Sequence, residues 1–146
     1  MLSSKLVRLI EGHWDLLTIA IVKDIAADAR LRYIAALPES ELRERARDIL
    51  ERLGHWLTTA HEAELARHFE HLGALRHEES IPLDEVVLAY LKIKNRMIEF
   101  ARSQGIGPSA VDLYAEEELQ HMVSRFFDSA VYHLVRGYQL TPVLHG

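Results

Sequence analysis

The 146-residue chain contains no cysteine. This absence excludes a disulfide scaffold, a thiolate metal site and a cysteine nucleophile, and it fits a reducing compartment. Glycine and proline are also scarce, with 7 and 4 residues. A β-sandwich or β-barrel needs a turn signal roughly every 8 to 12 residues. The scarcity of both turn-forming residues therefore argues against an all-β fold.

Long apolar runs are missing as well. No segment holds about 18 uncharged apolar residues in a row, and the N-terminal stretch carries Lys5 and Arg8 among its apolar residues. We therefore predict neither a signal peptide nor a membrane span. The formal charge of −5 creates no field that would attract a phosphate backbone or an anionic lipid surface. We expect a cytoplasmic protein that binds neither nucleic acid nor membranes.

The remaining composition is typical of one globular domain. Apolar residues make up 49% of the chain and charged residues 27%, and a chain of this length holds one hydrophobic core. The C-terminal stretch loses its helical periodicity and contains Pro142. We expect residues 1–138 to form a single domain and residues 139–146 to begin a linker.

Apolar residues recur at steps of three and four along most of the chain, which is the spacing of one face of an α-helix. This periodicity predicts an all-α fold of about five helices with a long C-terminal helix. The predicted helices cover residues 6–32, residues 42–60, a third segment from the capping-box pair Thr59 and Glu62 to Leu75, a fourth segment that starts at the turn of residues 80–84 and carries apolar residues from Val86 through Tyr90 to Phe100, and residues 109–138.

The last predicted helix carries two apolar stripes. One stripe includes Leu119 and Phe126, and the other includes Val123 and Phe127. A helix of a small isolated domain usually needs only one apolar face, so the second stripe either completes a central buried helix or meets another subunit. The pattern leaves both possibilities open. The candidate residues for a dimer interface are Leu119, Met122, Val123, Phe126, Phe127, Ala130 and Leu134.

Signatures of catalysis are missing from the sequence. It contains no glycine-rich phosphate loop, no nucleophile elbow and no His-Glu-x-x-His pair, so we expect no enzymatic activity. The nearest pattern to a metal site is Glu64, His68 and His71, which share one side of the third helix and could hold zinc. The same spacing arises on any solvated helix rich in histidine and glutamate. We therefore expect no metal or other cofactor.

Short packing and turn motifs follow one another along the predicted helices. They are Ile10-x-x-x-Trp14, Leu37 to Leu42, Trp56-Leu57, Ile81-Pro82-Leu83-Asp84-Glu85, Phe127-Asp128-x-Ala130 and Gly137-Tyr138. Their order resembles the RsbRD N-terminal domain family, the non-haem globin-like sensor module of bacterial stressosome co-antagonists. The resemblance covers essentially the whole chain. It implies a globin-like homodimer that senses or docks and passes its state to a C-terminal effector in signal transduction.

The resemblance leaves the output and the ligand open. The usual partner of this family is a STAS domain, and we expect none within these residues. If the last three helices correspond to those of a globin, His68, His71 or His77 falls near the position of a proximal haem ligand. A ligand-free dimerisation platform is a further alternative. An apolar cavity of some hundreds of Å³ would favour a sensor over such a platform.

The fifth helix is the element that we expect to carry a signal to an effector. Its 30 predicted residues would span about 45 Å at about 1.5 Å per residue, which is longer than a small domain is wide. We expect Gly137 to give flexibility near its end, because glycine often marks a helix terminus. On this hypothesis, Gly137→Ala changes the output but leaves the melting temperature nearly unaltered.

Overall fold

The computed structural model describes residues 2–59, 61–103 and 110–141, and its elements there are seven α-helices. The predicted all-α fold with a long C-terminal helix is confirmed. No helix in these three segments is both long enough and apolar enough to cross a bilayer. The helices are α1 (Leu2–Glu11), α2 (Trp14–Ala27), α3 (Arg32–Ala35), α4 (Glu39–Thr59), α5 (Glu62–Glu78), α6 (Leu83–Ser103) and α7 (Ala110–Leu140).

The first predicted helix is two helices. Helix α1 ends at Glu11, and α2 begins at Trp14. The turn between them is stabilised by the N–H of Gly12, which donates to the carbonyl of Arg8, and by the imidazole of His13, whose Nδ1 lies 2.8 Å from the carbonyl oxygen of Leu9. Apolar side chains on both sides of the turn still face the core. The apolar periodicity of the sequence therefore continues through the break between α1 and α2 and does not indicate it.

The one-turn helix α3 is absent from the sequence prediction. Its N-terminal N–H groups, those of Tyr33 and Ile34, donate to a carboxylate oxygen of Glu85 at 3.0 and 3.2 Å. Glu85 is buried in the first turn of α6. A helix this short cannot be stable alone, so the distant carboxylate holds it in place.

The predicted capping box between Thr59 and Glu62 is wrong. Thr59 is the last residue of α4, and its hydroxyl donates to the carbonyl of His55 at 3.0 Å. Glu62 instead accepts a hydrogen bond from Nε1 of Trp56 at 3.2 Å. The N-cap of α5 is His61, which makes no side-chain cap hydrogen bond. The third helix therefore forms where predicted, but without the predicted cap.

A Schellman turn ends α5 and leads into α6. Ser80 has a φ of 60°, and its N–H donates to the carbonyl of His77 at 3.0 Å. The N–H of Ile81 donates to the carbonyl of Arg76 at 3.2 Å. These two bonds satisfy carbonyls at the helix end. The carbonyl of Ile81 in turn accepts the hydroxyl proton of Tyr138 at 2.7 Å, which fixes the end of α7 against this turn.

Helix α7 packs against both α5 and α6 and also touches α4. Both of its apolar stripes are therefore covered by the same chain, which answers the alternative that the sequence left open. Met122 is partly buried against the core, and the other six interface candidates are almost inaccessible to solvent. These core residues are Leu119, Val123, Phe126, Phe127, Ala130 and Leu134. In this fold these six residues are not accessible to a second subunit.

Two glycines bring α5 and α7 into backbone contact. A Cβ atom at Gly73 would lie 2.1 Å from the carbonyl oxygen of Leu134, and one at Gly137 would lie 2.0 Å from the carbonyl oxygen of Glu70. The expected flexibility at Gly137 is therefore wrong, because this residue is enclosed by another helix. Helix α7 also continues to Leu140, two residues beyond its predicted end at Tyr138. Residues 142–146 of that linker lie outside the described residues.

Candidate ligand-binding cavity

A cavity of about 650 Å³ lies among α4, α5 and α6, and α2 and α3 contribute to its wall. Its volume is within the range of small-molecule sites. The helical spacing of the sequence turns one apolar face of each helix toward it. Two connecting segments contribute Leu37 and Ile81, and the helix faces supply the other aliphatic lining residues: Ile25, Ile34, Leu42, Ala46, Ile49, Leu72, Leu75, Val86, Ala89 and Ile93.

Polar side chains join α4 to α5 along the rim of this cavity. Nε2 of His68 lies 3.1 Å from a carboxylate oxygen of Asp48, and this hydrogen bond lowers the pKa of Asp48. At the other end of the rim, Arg45 donates both to Glu41 and to Glu79. Nη1 of Arg76 also donates to Glu79, at 2.6 Å. The two arginines of the rim are therefore already paired with carboxylates.

The rim carries a net negative charge. Burial acts to raise the pKa of Glu79, but the hydrogen bonds from Arg45 and Arg76 outweigh it and hold that pKa below its ordinary value. Five carboxylates and two guanidinium groups border the cavity, together with two histidines that count as neutral at pH 7. The carboxylates are Glu41, Glu44, Asp48, Glu78 and Glu79.

Tyr90 is the aromatic residue of the cavity lining. It is 5% exposed, its ring packs edge-on against Phe69 at 6.0 Å, and its hydroxyl has no hydrogen-bond partner among the described residues. Burial raises the pKa of Tyr90, and the charges of Arg76, Asp48 and Arg45 also influence it. The hydroxyl is therefore protonated and lies within reach of the rim charges. Sequence reasoning missed this site residue, which it treated as part of an apolar helix face.

The predicted metal triad is not assembled. Glu64 lies 3.3 Å from Nε2 of His55, His68 is paired with Asp48, and His71 is exposed at the rim. Within the described segments, no three histidine, aspartate or glutamate side chains come close enough to hold a metal ion. The three residues share one side of α5, but two of them turn toward different partners on α4.

The three haem-ligand candidates separate into two groups. His68 and His71 border the cavity, whereas the ring of His77 packs edge-on against Tyr138 with 5.0 Å between centroids. His77 is therefore directed toward the end of α7 and away from the cavity. His68 would have to leave Asp48 before it could bind another group through Nε2.

Comparisons of the chain with family models, with curated proteins and with solved structures found no match. The resemblance to the RsbRD N-terminal domain family stays a prediction from the sequence.

Proposed function

We propose that this chain is a cytoplasmic sensor module of bacterial signal transduction, similar to RsbRD N-terminal domains and without enzymatic activity. In this proposal a small molecule binds in the cavity, and α7 passes its presence to an effector. The observation that carries the proposal is the position of α5, which contacts the cavity with one face and α7 with another.

The cavity face of α5 includes Leu72, Leu75 and Arg76. Its α7 face includes Gly73, whose backbone leaves no room for a Cβ atom beside Leu134. Because backbone atoms in direct contact cannot yield by changing rotamer, a displacement of α5 must be followed by α7 or must open the interface. A ligand that moves α5 therefore has a mechanical connection to α7.

Polar contacts strengthen this connection at the C-terminal end of α7. Nδ1 of His133 lies 2.7 Å from a carboxylate oxygen of Glu70 on α5, and the backbone of Glu70 is the group that faces Gly137. Tyr138 binds the turn after α5. The 31 residues of α7 span about 46 Å. The helix is thus long enough to deliver a displacement to a segment beyond the domain.

A fluorescent probe can test whether the cavity binds small molecules. Nile red is uncharged, and its emission increases in apolar surroundings. We expect it to bind the wild-type chain and the Ala26→Phe variant, because Ala26 is exposed on α2. Ala89 is 6% exposed and lines the cavity, so Ala89→Phe should fill part of the space and weaken binding.

Circular dichroism must show that both phenylalanine variants are folded. If Ala89→Phe does not fold, Ala46→Leu provides a smaller filling at another position of the lining. Equal binding of Nile red by the wild type and a folded cavity-filled variant would contradict the proposal. Absence of binding by the wild type would favour a ligand-free platform.

The proposal includes a homodimer, whose contact surface we propose to be the outer face of α6 and α7. Lys94 of α6 pairs with Asp128 of α7 at 3.0 Å. About one turn from this pair, Leu91 and Tyr132 are 42% and 60% exposed. Sedimentation of the Leu91→Glu and Tyr132→Glu variants should show monomers where the wild type is dimeric. Tyr33→Glu, at a 57% exposed tyrosine of α3, is the control and should stay dimeric.

A haem-binding sensor is the second candidate, because His68 and His71 of α5 border the cavity. Addition of hemin to the purified chain tests it by absorbance spectroscopy. The leading proposal predicts no shifted Soret band, since the rim already carries excess negative charge that opposes the haem propionates. A Soret band that disappears in His68→Ala or His71→Ala would favour haem.

A further inference from the structure

The aliphatic lining favours a ligand with a saturated hydrocarbon body. All of the apolar lining residues apart from Tyr90 are aliphatic, and they come from five helices and from Leu37 and Ile81 in the connections between them. Each methylene group buried in such surroundings improves the dissociation constant by about fourfold. Affinity for this cavity should therefore increase with the length of an alkyl chain until the cavity is filled.

The hydroxyl of Tyr90 can supply a polar contact for that ligand. The Tyr90 side chain is 5% exposed and lines the cavity, and its hydroxyl has no hydrogen-bond partner within the described residues. A ligand oxygen can therefore make a hydrogen bond that the protein itself leaves unmade. A protonated phenol can donate to a carbonyl oxygen, or donate to and accept from an alcohol. A single oxygen on the ligand would satisfy it.

The rim disfavours a carboxylate at this position. Arg45 and Arg76 are bound by carboxylates of the protein, and Glu44 and Glu78 add negative charge without an arginine partner among the described contacts. An anionic ligand would enter between like charges and would also lose its hydration. An uncharged ligand meets neither penalty.

From the lining, the unpartnered hydroxyl and the rim charge together, we propose that the cavity binds an uncharged aliphatic molecule with one carbonyl or hydroxyl oxygen, which is held by the hydroxyl of Tyr90. This inference rests on the proposed function of the cavity and adds the chemical class of its ligand.

Four probes with ten carbon atoms separate the contributions: methyl octyl ketone, decanol, decane and decanoate. Each is titrated against the complex of the chain with Nile red at neutral pH, and its affinity is obtained from the displacement. We expect the ketone and the alcohol to bind at least about tenfold more tightly than decanoate. In Tyr90→Phe, binding of both oxygen-containing neutral probes should weaken by about fivefold, the value of one hydrogen bond. Binding of decane should not change.

Two further variants control the test. Tyr33→Phe makes the same change at an exposed tyrosine outside the cavity lining and should leave all four affinities unaltered. A Glu44→Gln and Glu78→Gln double variant lowers the negative charge of the rim and should raise the affinity for decanoate several-fold. Circular dichroism shows whether the Tyr90→Phe variant keeps the helical fold.

The outcomes distinguish the ligand class from the proposed function. If decanoate binds as tightly as the ketone, or if folded Tyr90→Phe binds the ketone with unchanged affinity, the assigned ligand class is wrong although the cavity still binds small molecules. If the wild-type chain binds neither Nile red nor any of the four probes, the proposed function fails as well.

Discussion

Replacement of Gly137 by alanine should force α5 and α7 apart. The new Cβ atom would lie 2.0 Å from the carbonyl oxygen of Glu70 and 2.6 Å from its carbonyl carbon. An ordinary contact between a carbon and an oxygen requires about 3.4 Å, so the two backbones must separate by about 1.4 Å. Side-chain rotation cannot relieve the clash, because both nearest atoms belong to the backbone of Glu70.

The expected cost follows from the size of this separation. A gap of about 0.5 to 1 Å already loses a quarter to a half of the dispersion energy at an interface, and α5 and α7 form the most extensive helix pair of the fold. Overpacking typically costs about 1 to 3 kcal/mol, and more where the structure cannot relax. We expect Gly137→Ala to lower the free energy of unfolding by about 3 kcal/mol, which corresponds to roughly 10 °C in melting temperature.

Gly54 provides a matched control for this substitution. It lies inside α4, and a Cβ atom there would meet no neighbouring atom within 4 Å. Alanine is favoured over glycine in a helix interior by about 1 kcal/mol, so Gly54→Ala should stabilise the protein. Urea denaturation followed by circular dichroism measures both variants. If Gly137→Ala is as stable as Gly54→Ala, the close approach of α5 and α7 is incorrect.

Three other substitutions test local features. Ser80→Gly should stabilise the fold by about 0.5 to 1 kcal/mol in urea denaturation, because glycine adopts positive φ without steric cost. Glu85→Ala should destabilise it by about 2 kcal/mol or more, since two N–H groups of α3 lose their acceptor; Glu85→Gln keeps one acceptor and should lose less. Arg45 and Arg76 hold the pKa of Glu79 in the folded protein below its ordinary value of 4.5. The ionised carboxylate therefore stabilises the fold above pH 4.5, and this stabilisation is lost as the pH falls through the pKa of the folded state. The difference in urea midpoint between wild type and Glu79→Gln should therefore shrink on acidification.

Local periodicity was sufficient to predict the helical fold but not its breaks. Stripe residues such as Leu42, Ile49 and Leu53 are buried as the spacing requires. The turn at Gly12 was not predicted, because the apolar residues continue with helical spacing on the same face beyond the turn. Helix α3 was not predicted, because its stability depends on Glu85, which lies about fifty residues further along the chain.

The candidate site was harder to predict from the sequence than the helices were, for a related reason. An aliphatic face has the same spacing whether it packs against a neighbour or borders a cavity, so the pattern does not distinguish Leu72 at the cavity from Leu65 in the core. The roles of Gly73 and Gly137 depend on which helix lies beside them. Only the three-dimensional arrangement identifies these contacts.

Hydrogen–deuterium exchange with and without saturating Nile red tests most directly whether α5 couples the cavity to α7. Binding at the cavity should slow amide exchange in α5 and also in residues 130–140 of α7, which do not line the cavity but contact α5 through Gly73 and Gly137. Exchange in α1 should be unchanged and provides the internal reference. Protection confined to the cavity-lining segments, with no change in residues 130–140, would contradict the coupling.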